Sequence, residues 1–109
     1  MLRAWMVLGL AIATEVLGTA ALKASQGFTR WLPGAVVLAA YGASFFLLSL
    51  ALKTLPLGLS YAVWSGIGTA ATALVGLFVW GESLSLGQWL ALGLIVIGVA
   101  LLQGTAAHA

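Results

Sequence analysis

The sequence predicts an all-α, polytopic membrane protein with four transmembrane helices, and three observations predict it. Of 109 residues, 63% are hydrophobic and 6% charged, against roughly 25% charged in an ordinary soluble domain. Four basic and two acidic side chains cannot cover the surface of a soluble globule, so lipid must be the solvent for most of the chain. The apolar residues fall into four stretches, each close to the about 20 residues that a helix needs to cross hydrocarbon. The breaks between them are short and rich in Gly, Pro, Ser and charge. The stretches lack the period-2 alternation of a β-barrel strand, so a small barrel is excluded. The chain reads as a single four-helix transmembrane domain, 1–109.

The first span covers residues 4–22 and closes at Lys23-Ala24-Ser25-Gln26-Gly27. A secretory signal is the rival reading, because Arg3 precedes the run and Ala11-Ile12-Ala13 has a small-x-small pattern. The run continues well past that site, further than a signal's apolar region, and favours a span. Pro33 opens the second span, 33–52, which stops at Lys53-Thr54-Leu55-Pro56. The third, 57–80, ends at Gly81-Glu82-Ser83; the fourth, 86–102, is the most uniformly apolar and precedes a short tail, 103–109. Connections this short force successive helices to run antiparallel.

Composition also excludes several chemistries. There is no Cys, and the single His108 stands far from any other ligand type, so neither a metal centre nor a thiolate nucleophile is expected. A net charge of +2 with no basic cluster offers nothing to a nucleic-acid backbone. Gly66-x-Gly68 lies inside an apolar run with no preceding strand and is no phosphate loop. Nothing suggests covalent chemistry or a cofactor, and the chain is not read as an enzyme.

Glu15 is the residue that demands an explanation. It lies in the middle of the first span, where an ionised carboxylate costs several kcal/mol, and no Lys or Arg lies in the apolar part of any span to neutralise it. It is expected to hold a proton or a cation; the alternative is a permanently protonated acid that hydrogen-bonds between helices. Its neighbours at helical spacing, Ala11, Ile12, Gly18 and Thr19, are mostly small and leave either a hollow or a close helix contact. The second span carries Tyr41, Ser44, Phe45 and Leu48 on one face, and the third carries Tyr61, Trp64, Ser65 and Gly68. Trp5, Trp31, Trp80 and Trp89 lie near span ends and read as interfacial anchors. Tyr41 and Trp64 lie deeper, where a ring beside a carboxylate would attract a lipophilic cation by about 2 kcal/mol when desolvated, unless the rings only fill the bundle. Gly66 and Gly68 mark a bend or a tight packing point. Ala91, Leu94, Ile95 and Gly98 form a seam suited to helix association. Glu82, Lys23 and Arg30 read as solvated loop charges.

Four segments carry a resemblance to a known family: Glu15-Val16-Leu17-Gly18-Thr19, Gly27-Phe28-Thr29-Arg30, Ala43-Ser44-Phe45, and above all Leu55-Pro56-x-Gly58-x-x-Tyr61-Ala62-Val63-Trp64-Ser65-Gly66-Ile67-Gly68. Together they resemble the small multidrug resistance family across all four spans. The resemblance implies a bacterial inner-membrane transporter that works as an antiparallel homodimer and exports lipophilic, quaternary ammonium or aromatic cations in exchange for protons. It implies that Glu15 binds protons and cation in turn, and that Tyr41, Ser44, Phe45, Tyr61 and Trp64 contact substrate. It also implies that Gly66 and Gly68 bend; from their helix faces, Ala11, Gly18, Thr19 and Leu48 are expected to line the pocket, and Ala91, Leu94, Ile95 and Gly98 to form the dimer interface. The rival branch of the family exports guanidinium and typically has Trp three residues after the acid and Met where Tyr41 stands; here those positions are Gly18 and Tyr41. A reading from another class is a non-transporting membrane assembly subunit, for which Glu15 would be replaceable by Gln.

Loop charges bear on orientation without reference to any family. Both termini and the second connection share one side and carry Arg3 and Lys53; the first and third connections carry Lys23 and Arg30. Orientation follows the excess of Lys and Arg in short cytoplasmic loops, and here the excess is nil. The chain should insert both ways up, and two opposed copies could bring both Glu15 carboxyls to one midplane cavity. Two Lys added to the C-terminal tail, or two added to the first connection, should each give one orientation by tag accessibility and little export alone, with export restored on co-expression. A natural chain found in a single orientation would overturn this reading.

Overall fold

Long apolar runs without internal breaks form helices because the bilayer offers no other partner for backbone N–H and C=O groups. A computed structural model describes residues 2–106, with side chains through residue 104; His108 lies outside the described residues. The elements are α1 (Leu2–Ala24), α2 (Trp31–Ala51), α3 (Leu57–Trp80) and α4 (Leu86–Ala106), with no strand among the described residues. All four are long and apolar enough to cross a membrane. At about 1.5 Å per residue, even a helix of 21 residues reaches roughly 30 Å.

The boundaries differ from the sequence reading in ways that helix chemistry explains. α1 extends through Lys23 and Ala24, which places a cation at the negative end of the helix dipole. α2 begins at Trp31, so Pro33 sits inside the first turn, where its missing N–H would have had no partner in any case. α4 continues past residue 102 to Ala106, since Gln103 ends the apolar run without ending helical backbone geometry.

The first connection is built around Ser25, which is fully buried. Its Oγ donates to the Leu22 carbonyl (2.7 Å) and accepts from the Phe28 N–H (3.1 Å), and its carbonyl accepts from the Arg30 N–H (3.0 Å). Those bonds hold Gln26, Gly27 and Phe28 in the left-handed region (φ 50°, 74° and 65°), a conformation that costs about 1–2 kcal/mol at each non-glycine position. The second connection keeps Leu55 buried with its N–H bonded to the Ala51 carbonyl (2.9 Å), and Pro56 precedes α3. Gly81, at φ 67°, stops α3, and the Glu82 N–H returns to the Gly76 carbonyl (3.1 Å). α4 opens with a reciprocal cap: the Gln88 N–H donates to Ser85 Oγ (3.2 Å), and the Ser85 N–H donates to Gln88 Oε1 (2.8 Å), which satisfies two otherwise orphaned donors.

The chain divides into two units, one ending at Pro56 and the other beginning at Leu57. In the first, α1 packs on α2. α1 buries Ala4, Leu8, Ala11, Ile12 and Gly18, and α2 buries Gly34, Val37, Ala40, Ser44 and Ala51. The series 4, 8, 11, 18 and 37, 40, 44, 51 follow the alternating three- and four-residue steps of a coiled-coil seam, and most members are small, as close packing in lipid requires. In the second unit α3 packs on α4. Gly66 makes that approach possible: a methyl there would strike Val99 and come within 3.2 Å of Ile95. Large apolar side chains such as Leu38 (72%) and Phe78 (80%) are left exposed on these helices, as the composition of a membrane span requires.

Gly66→Ala should overpack the α3–α4 contact and destabilise the purified protein by about 1–3 kcal/mol, read as a lower thermal midpoint in detergent. Val99→Ala in the same chain should recover much of the loss; no recovery would place the strain elsewhere.

Candidate functional site

Glu15 continues the α1 seam, since residues 8, 11, 15 and 18 follow its spacing, and it is half-buried. Thr19 stands one turn further on, the i, i+4 position that faces it. Thr19 Oγ1 donates to Glu15 Oε1 (3.0 Å) and lies 2.8 Å from the Tyr41 hydroxyl of α2. A hydroxyl has one hydrogen and two lone pairs, so when Thr19 donates to Glu15, Tyr41 is the donor to Thr19. An acid, a threonine and a phenol thus form one continuous chain across two helices.

Gly18 makes that chain possible. A Cβ there would lie 2.7 Å from Tyr41 Cδ1 and Cε1, and 3.3 Å from Ala40 Cβ. The ring lies flush on α1 only because position 18 carries no side chain, and the phenol oxygen reaches Thr19 from that seat.

A second tie lies one turn nearer the N-terminus. The fully buried Ser44 Oγ donates to the Ala11 carbonyl of α1 (2.7 Å), beside Thr14 Oγ1, whose hydroxyl lies within reach of both the Leu10 (3.0 Å) and Ala11 (2.9 Å) carbonyls. An interhelical hydrogen bond of this kind contributes about 0.6 kcal/mol on average in a membrane protein. Its larger effect is to fix the register of α2 on α1, and so the height of Tyr41 against Thr19.

The structure brings Glu15, Gly18, Thr19 and Tyr41 into one cluster, with Ala11 and Ser44 as the fastening beside it. Leu48 is half-buried and Phe45 is 62% exposed. On α3, Tyr61 is 63% exposed and Trp64 is half-buried. Gly66 and Gly68 are buried within one continuous helix. On α4, Ile95 packs toward Gly66, whereas Ala91, Leu94 and Gly98 are exposed. Thr14 was not singled out by sequence reasoning. The Thr19 bond to Glu15 was legible in their i, i+4 spacing, whereas the Tyr41 bond was not.

Comparison with known proteins finds relatives over most of the chain. A family model described as Small Multidrug Resistance protein matches residues 3–95. The chain is 46% identical over 99 residues to the quaternary ammonium compound-resistance protein QacF of Klebsiella aerogenes, covering 91% of this chain and 90% of that one. It is 44% identical over 102 residues to the quaternary ammonium compound-resistance protein QacE of Escherichia coli, covering 94% and 93%. It is also 48% identical over 96 residues to a guanidinium exporter of Yersinia pseudotuberculosis, covering 88% and 92%.

The contact between Gly18 and Tyr41 predicts strong coupling between the two positions. Gly18→Ala should destabilise the α1–α2 hairpin by roughly 1–3 kcal/mol, and Tyr41→Ala should remove most of that penalty. A double-mutant cycle on denaturant unfolding should return a coupling within the about 0.5–3 kcal/mol typical of touching residues; additive effects would show that the ring does not rest on position 18.

Proposed function

The chain belongs to the Small Multidrug Resistance family, a multi-pass protein of the bacterial inner membrane, and from that premise we propose that it is a proton-coupled antiporter exporting lipophilic cations. The observation that carries the proposal is Glu15, a carboxylic acid in the middle of a membrane span. In hydrocarbon its charge must be cancelled by a proton or by a bound cation. The two occupants compete for one group, so loading the cation releases a proton, and an inward proton gradient drives the cation out.

The substrate is a lipophilic cation carrying aromatic or quaternary ammonium groups. Such an ion loses little hydration on leaving water and gains ring contacts worth about 2 kcal/mol when desolvated. Tyr41 is the ring next to Glu15, while Tyr61 and Trp64 carry their part in the proposal through the family resemblance. Two oppositely inserted copies form the working unit, for which the even loop charges supply the reason. Each copy then alternates between two conformations, with Gly66 and Gly68 as the bending point of α3. The exposed Ala91, Leu94 and Gly98 supply the surface on which copies associate.

A guanidinium exporter is the second reading, and the 48% identity to the Yersinia protein favours it as strongly as the other identities favour the first. Position 18 argues against it. A tryptophan there, as in that branch, is sterically incompatible with Tyr41 where the ring lies, because even a Cβ would sit 2.7 Å from it.

Purified protein titrated with tetraphenylphosphonium, with guanidinium and with buffer alone tests the proposal. Tetraphenylphosphonium should release protons and bind more tightly as pH rises. Both responses should vanish in Glu15→Gln. Proton release by guanidinium alone would move the chain to the other branch. A Gln variant that still exports cations would leave Glu15 without its role, and a chain that exports neither class in reconstituted vesicles would be an assembly subunit.

A further inference from the structure

Thr19 stands between the Glu15 carboxyl and the Tyr41 ring, and its hydroxyl bonds to both. Its single hydroxyl hydrogen cannot serve both neighbours. When Glu15 is ionised, bare or facing a cation, the carboxylate only accepts. The charge-assisted bond then draws the Thr19 hydrogen to Oε1, and Tyr41 must donate to Thr19 across 2.8 Å. When Glu15 is protonated, that pull is gone and the acid has a hydrogen of its own. It can donate to Thr19, which then donates to Tyr41, and the phenol hydrogen is free to turn elsewhere. The direction of the whole chain follows the charge on one carboxyl.

From this geometry we infer that Thr19 is a positioning residue that couples the hydrogen-bonding state of the Tyr41 hydroxyl to the proton or cation occupancy of Glu15. The inference rests on the proposed exchange at Glu15 and adds to it a path by which occupancy reaches α2. The seat on Gly18 keeps the ring close to α1, and the Ser44 tie to the Ala11 carbonyl fixes the register, so the hydroxyl has little room to follow the charge by moving. It responds by turning. No other titratable side chain confuses the reading within this hairpin: Tyr41 is the only one on α2, and the remaining charges of α1, Arg3 and Lys23, lie in its first and last turns.

The test uses purified protein carrying ζ-13C tyrosine. The chain has only two tyrosines, and Tyr41→Phe assigns the signals. Across a pH series that brackets proton release, the Tyr41 signal should shift with the same midpoint as that release. Saturating tetraphenylphosphonium at low pH should move it to its high-pH position. Glu15→Gln should flatten it. Thr19→Val keeps the shape and removes the hydroxyl, and should abolish the response while Thr19→Ser retains it; Thr19→Ala provides a second hydroxyl-free variant if the valine protein does not fold. A Tyr41 signal that still follows pH with full amplitude in the hydroxyl-free variants, or one that is flat in the natural protein, overturns the inference. Tetraphenylphosphonium binding and proton release measured in the same samples report separately on the exchange at Glu15, so failure of the relay is distinguishable from failure of the proposed function.

Discussion

An acid in the middle of an apolar helix must be neutralised or solvated by something, and in hydrocarbon the available means are few. Glu15 is placed on the seam where α1 meets α2 rather than on a lipid-facing stripe, so protein groups rather than acyl chains surround it. Thr19 from its own helix and Tyr41 from the neighbouring one then form the polar path leading away from it. Moving Glu15 to the next residue along α1 would turn the carboxyl by about 100°, away from both. The site therefore depends on helix phase as much as on residue type.

That placement requires two helices to lie very close, and the hydrophobic effect does not drive helices together in lipid, where the tails are as apolar as the side chains. The chain uses small residues and a few directed hydrogen bonds instead. Gly18 accepts the Tyr41 ring, and Ala11 stands opposite Ser44, whose hydroxyl reaches the α1 backbone. The second hairpin repeats the principle, with Gly66 accepting Val99 and Ile95. Residues read from the sequence as hollow, hinge or seam thus also have packing roles. A single position such as Gly18 serves both ends: it allows the helices to approach, and it sets which ring can stand beside the acid.

The steric exclusivity of Gly18 and Tyr41 also gives a physical reason why two branches of one family could differ at both positions together. A large side chain at position 18 and the Tyr41 ring would claim the same volume, so changing one obliges a change in the other. Overall identity, similar for relatives of both kinds, does not separate them.

Four spans and an acid in the middle of the first were legible in the sequence alone, because they depend on sums over a window: apolar length against bilayer thickness, and the cost of one charge in hydrocarbon. Local chemistry placed the turns at Gly27 and Gly81 as well. Helix ends were less legible. Pro33 fits inside a first turn, and α4 outlasts its apolar run, since backbone geometry ends where bonding fails and not where polarity begins. Only the tertiary structure decided which hydroxyl meets which acceptor. Tyr41 and Ser44 share a face of α2 and look equivalent in sequence, yet one joins the chain to Glu15 and the other is buried on the Ala11 carbonyl. That choice is set by the register of α2 on α1, which is fixed by close contacts at Gly18, Ala40 and Ala11, and no property of a single helix contains it.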